Sequence, residues 1–327
     1  MSEPFLSAQS FFALAKETTR GTAVTPPTVF IPISPNPTLT PNLSWVDDDA
    51  LRGSPVKTYD KIPSNRYDDY QFKGYVFADT FPNLMLGVLG GPDTVTGTVS
   101  PYTHKIPLLN SAATGSQPPS YTGYDIDQVV ESAGAAKQFA GGQLAEVEVD
   151  FAATGALNYT SKFIANPFVE VATPTGTWSS EVFIPGWSAT VSLAGTPVGV
   201  LEQGKVRVQL STNSIFTVGQ QAPYTNFADV IQVTGDLTML AITDDATLTN
   251  GLQRLHQALV ITYTDPVSSN TVAFQMSDTQ FFNPKYERSK EYVQVTTSFE
   301  ATANTTDAAT GYAPITFTAT NSQSTAY

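Results

Sequence analysis

The sequence predicts an all-β protein with one or two short helices. Three observations carry this. Period-two alternation of apolar and polar residues recurs along most of the chain, as in Leu144 to Phe151 (LAEVEVDF). Only 14% of residues are charged, against about 25% in ordinary soluble domains, so the polar surface must be largely Thr, Ser, Asn and Gln. Cysteine is absent, which removes disulfides, thiolate metal sites and cysteine nucleophiles together.

Taken in order, Ser10 to Lys16 and Thr28 to Ile33 are the first strand candidates. Residues 25–41 form a Pro-rich arm. Pro26, Pro27, Pro32, Pro35, Pro37 and Pro41 put six prolines in sixteen residues, which excludes a helix or a central strand. Asp47 to Pro63, with three consecutive aspartates and Arg52-Gly53-Ser54-Pro55, reads as a long exposed loop. Tyr70 to Ala78 resumes a strand. A helix is expected from Phe81, with Asp79 or Thr80 as cap, Pro82 in the first turn and Gly90-Gly91 as the stop. A second helix is expected over Asp245 to His256, from the spacing of Leu248, Leu252 and Leu255. Further strands are expected at Ser188 to Leu193, Lys205 to Leu210, Ala258 to Thr264, Val272 to Met276, Glu291 to Ala301 and Ile315 to Thr320. Pro167 to Trp178 offers a hinge, but no composition break divides the chain. The reading is one domain over 1–327, ending in a C-terminal tail at 320–327.

The N-terminal residues lack the basic and apolar stretches of a signal peptide, and no window of 18 apolar residues suits a membrane span. The expectation is a protein without membrane association, retained in the cell that makes it until release. His104 and His256 have no ligand spacing around them and read as structural. No Gly-x-Ser-x-Gly elbow or phosphate loop is present. Asp125 and Asp127 could supply oxygens to calcium but do not form a calcium loop. The expectation is therefore a protein with no catalytic residues, no metal and no cofactor.

Glu146, Glu148 and Asp150 alternate with Val147, Val149 and Phe151, which places three carboxylates on one face of a strand. Like charges at that spacing repel, so the face needs cations beside it, for which Lys205 and Arg207 are candidates, or water around it. The net charge of −13 makes the chain a poor nucleic-acid binder, since binding neutralises phosphates with Lys and Arg.

Several ordered segments resemble the siphophage tail tube (major tail) protein family. They are Ala15 to Ala23, Phe30 to Ile33, Leu51 to Ser54, Phe81 to Gly90, Tyr102 to Asn110, Pro118 to Tyr121, Phe139 to Leu144 and Gly311 to Asn321. The resemblance implies a β-sandwich with a flanking helix. It also implies homo-hexameric rings whose inner sheets close into a β-barrel lumen, stacked into a tube. The implied partners are further copies of the chain, a tape measure protein and a tail terminator, in a virion assembled in the host cytoplasm. DNA would pass without being bound. On that basis Glu146, Glu148 and Asp150 are expected to face the lumen. Pro32, Pro35, Asp47, Asp48, Leu51 and Arg52 are expected at contacts between subunits or rings. Six copies would carry 6 × −13 = −78 charges, which would repel passing DNA. The alternative class is a β-rich receptor- or carbohydrate-binding protein displaying exposed aromatics, and a glycoside hydrolase would need two carboxylates facing across a cleft.

Overall fold

The computed structural model describes residues 10–35, 37–50, 52–110, 117–127, 136–198, 201–241, 256–288 and 291–327. Strands β1 (Phe11–Lys16), β2 (Val29–Ile31), β3 (Thr38–Asp48) and β4 (Asp60–Tyr75) precede the helix α1 (Phe81–Leu89). Then come β5 (Thr94–Thr96), β6 (Tyr102–Pro107), β7 (Tyr121–Ile126), β8 (Ala136–Ala152), β9 (Asn158–Ala165) and β10 (Val169–Val171). The remainder is β11 (Ala189–Leu193), β12 (Thr196–Val198), β13 (Leu201–Ile215), β14 (Thr225–Leu240), β15 (His256–Thr264), β16 (Thr271–Glu287), β17 (Gln294–Ala301) and β18 (Thr316–Asn321). The pairings between these strands are antiparallel.

Two long strands organise the molecule because each serves two neighbourhoods. The first half of β8 pairs with β7 and β10, in a small sheet completed by β1 and β2. Its second half lies between β9 and β13. The change falls at Gly141-Gly142. Gly141 has φ +63°, and a Cβ on Gly142 would stand 2.7 Å from the Tyr121 carbonyl oxygen, so larger residues are excluded there. From β8 the large sheet runs β3-β4-β9-β8-β13-β14-β17-β16. The first half of β16 instead lies between β15 and β18, which lead on to β11-β12 and to β6-β5. Asp307 holds this corner by accepting from the Ser277 N–H at 2.6 Å and the Ser277 hydroxyl at 2.7 Å. Among the described residues the strands of one chain do not close into a barrel.

Alternation fixes what is buried. Val147, Val149 and Phe151 of β8 and Val206 and Val208 of β13 point inward together with Leu237 and Phe299. Phe151 meets Tyr263 of β15 edge-on, with ring centroids 5.4 Å apart. Every residue of α1 is buried beneath these strands. Phe81 packs on Phe317 at 5.7 Å and on Tyr159 at 5.5 Å. Burying each such ring contributes roughly 1.5–3 kcal/mol. The helix ends as its sequence dictates: Pro82 occupies the first turn, and Gly90 at φ 72° turns its N–H back to the Leu86 carbonyl.

One expectation needs correction. Asp47 to Pro63 is not wholly loop, because β3 continues to Asp48 and β4 begins at Asp60. The Pro-rich arm contains β2, within the strand expected at Thr28 to Ile33, and the start of β3. Pro41 and Pro63 are tolerated because, among the described residues, β3 pairs only with β4, and β4 pairs only with β3 before Asp68, so Pro41 and Pro63 owe no N–H to a further strand. The expected second helix lies outside the described residues, apart from His256, which opens β15.

Candidate luminal face and assembly surfaces

β8 projects Glu146, Glu148 and Asp150 from one face, and the neighbouring strands bring cations to them. Across the β8–β13 pairing Asp150 is opposite Lys205 and Glu148 is opposite Arg207. Arg207 reaches diagonally to Glu146, donating from Nε at 2.9 Å and from Nη2 at 2.7 Å. It also lies 3.9 Å from Glu148, and Lys205 lies 3.6 Å from Glu148. The Glu146 hydrogen bonds raise the Arg207 pKa, so the guanidinium stays charged. Such half-exposed pairs are worth about 0–1 kcal/mol each, so they serve charge balance more than stability.

The same face extends over six strands. It presents Asp69, Glu146, Glu148, Asp150, Glu202, Asp236 and Glu300 against Lys73, Lys162, Lys205 and Arg207, a balance of 4 − 7 = −3. Ser298 donates to Asp236 at 2.6 Å and Gln232 to Glu300 at 3.0 Å. Most of the remaining polar side chains on this face are Thr, Ser, Asn and Gln. What this surface can do chemically is stay wet, mildly acidic and without strong affinity for either sign of charge.

The second surface is a ribbon. Beyond Asp68, the last β4 residue held by β9, the hairpin of β3 and β4 continues with no third strand among the described residues. Its root is anchored by Asp68, which is fully buried and accepts from the Phe168 N–H at 2.7 Å and from Arg66 at 3.3 Å. At the tip, Asp47 pairs with Lys61 at 3.0 Å, and Arg52 pairs with Asp48 and lies over the Tyr59 ring at 4.6 Å. The structure thus brings Asp47, Asp48 and Arg52 together. Pro32 and Pro35 stand apart at the ribbon's base, where the Ser34 N–H bonds the Lys73 carbonyl at 2.7 Å. Leu51 lies outside the described residues. Trp45, Val46 and Ile62 are exposed on the ribbon.

Sequence reasoning missed a buried polar knot at Glu17 and Arg20. Glu17 is 8% exposed, and its carboxylate accepts four hydrogen bonds, two at each oxygen. Oε1 takes the Gly141 N–H at 2.8 Å and the Thr122 hydroxyl at 3.0 Å. Oε2 takes the Gly21 N–H at 2.8 Å and the Ser120 hydroxyl at 2.6 Å. Arg20 donates to Gln143 at 2.9 Å, to the Asn226 carbonyl at 3.1 Å and to the Pro118 carbonyl. Burial lowers the Arg20 pKa, and the Glu17 charge opposes that. The segments 15–23, 118–121 and 139–144, which carry part of the family resemblance, converge here. Segments 102–110 and 311–321 converge likewise through the β6–β18 pairing and through Asn110, which donates to the Tyr312 carbonyl at 2.6 Å.

His104 is fully buried, as a structural histidine. Its Nδ1 is 2.7 Å from Asp93 and its Nε2 is 2.9 Å from the Gln323 carbonyl. With the Tyr327 N–H donating to Asp93 at 3.1 Å, this pins the C-terminal tail to the body. Asp125 accepts from the Tyr70 hydroxyl at 3.0 Å, and Asp127 pairs with Lys137. Among the described residues no cluster of His, Asp or Glu is arranged to hold a metal ion.

Near the tail, burial and then the proximity of Asp79 push the half-buried Glu181 carboxyl up to about 7, from an ordinary value of 4.5. The folded state therefore binds this proton more tightly than the unfolded chain. Stability from the protonated form is complete below about 4.5 and is lost as pH rises through about 7. Glu181→Gln should thus raise the melting temperature relative to wild type at pH 8 and not at pH 4.5, read by thermal denaturation at both.

The class defined so far is an all-β subunit with a broad, charge-compensated sheet face and an exposed ribbon. A family model described as phage tail tube protein matches residues 7–319, nearly the whole chain, and the chain belongs to that family. No curated protein matches it in sequence. As a member of this family it is a structural virion component that self-assembles into a tube.

Proposed function

We propose that the chain is the repeating subunit of a siphophage tail tube that conducts DNA to the host. Homo-hexameric rings stack, and the sheet containing β8 and β13 joins its counterparts into a continuous barrel around the lumen, with the rest of each subunit packed outside as a β-sandwich. Glu146, Glu148 and Asp150 face the channel, and the ribbon with the Pro-rich segment at its base joins subunits or rings. Rings assemble in the host cytoplasm with a tape measure and a terminator protein. The observation that carries this reading is the long polar face of β8 and its neighbours. It is wide and polar, Lys162, Lys205 and Arg207 are paired with its own carboxylates, and it leaves a small negative excess.

DNA slides past such a wall because no phosphate gains a cation and no counterions are released. Neutralising Glu146, Glu148 and Asp150 to Gln, Gln and Asn changes the face from −3 to −3 + 3 = 0, hence a six-membered ring from −18 to 0, and frees Lys205 and Arg207 from their carboxylates. Tubes of this variant should retain DNA in a low-salt sedimentation assay, whereas wild-type tubes should not, and retention should vanish as salt rises. Equal behaviour of the two tubes would place these residues away from the channel.

A further inference from the structure

The ribbon is a knob, and the chain also carries a hole. Trp45 and Val46 are adjacent in a strand, so they point to opposite faces of the ribbon. Trp45 is 54% exposed, Val46 57%, and Ile62, directly across from Val46, 58%. A two-stranded ribbon is marginally stable alone in water, and apolar side chains on both faces suit insertion into a crevice. The hole is a cleft of about 240 Å³ between the end of α1 and the β13–β14 pair. Leu89, Leu108, Leu109, Phe227 and Ile231 line it, with Asp229 at its rim.

The occupant follows from assembly and charge. A tube built from one kind of chain needs heterologous contacts, in which a feature of one copy fits a different feature of the next. Lys57, in the turn of the ribbon, and Asp229, at the rim of the cleft, are oppositely charged. Among the described residues neither has an ion pair within the chain. Aromatic anchors in apolar pockets dominate interface energetics, and tryptophan is the most enriched among them. Resting on the tail-tube reading, we propose that Trp45 of one copy seats in the Leu89–Leu109–Phe227 cleft of a neighbouring copy, with Lys57 set against Asp229.

The absence of native cysteine makes the test clean. Lys57→Cys and Asp229→Cys are combined in the full chain, assembled, oxidised and run on a non-reducing gel. The proposal expects a ladder of covalent dimers and higher multimers that collapses on reduction and is missing from each single variant. Trp45→Ala should keep the wild-type circular dichroism and melting temperature yet lose at least tenfold in tube yield. Wild-type-like tubes that give no ladder, or Trp45→Ala tubes in normal yield, overturn the cleft assignment and leave the tail-tube reading standing. Failure of wild-type protein to form tubes under any condition removes that reading and this proposal with it.

Discussion

Glu17→Ala is expected to lower stability by about 3–5 kcal/mol, because several buried donors lose their acceptor at about 1–3 kcal/mol each. The carboxylate satisfies two backbone N–H groups, Gly21 and Gly141, and two hydroxyls, Ser120 and Thr122, in a buried site. Its loss leaves all four donors without that acceptor and deprives Arg20 of its nearby negative charge. For a chain of 327 residues this corresponds to a fall in melting temperature of roughly 5–10 °C. The exposed Glu291→Ala should shift stability by less than about 0.5 kcal/mol. Thermal denaturation of both variants checks the pair, and equal melting temperatures would mean the knot is not structural. The consequence reaches beyond stability. Gly141 is where β8 passes from the small sheet to the large one, so loosening Glu17 loosens the aim of the strand bearing Glu146, Glu148 and Asp150.

How much of this was legible beforehand depends on where each feature keeps its information. The strand holding Glu146, Glu148 and Asp150 was readable because one face is buried and alternation is strict. Its compensation by Lys205 and Arg207 was readable as a possibility, since they alternate with the same period around Val206. The helix over Phe81–Leu89 was readable because Pro82 and Gly90 act locally. The ribbon was not, for the opposite reason. Trp45, Val46 and Ile62 alternate with nothing buried, and prolines and aspartates that would exclude a central strand are harmless on an unpaired edge. The knot at Glu17 was hidden because its donors come from residues 21, 120, 122 and 141, and nothing local marks that carboxylate as buried. The only trace was indirect: the short segments that carried the family resemblance are the ones that meet there.

The central claim is that this chain alone carries the surfaces needed to build an open tube. Negative-stain electron microscopy of the purified full-length protein, concentrated at near-neutral pH, tests it most directly, with virion tail extract added in a second sample to supply an initiator. The account predicts rings or stacked-ring tubes with an open central channel. Protein that remains monomeric in both samples and is missing from purified tails would contradict it.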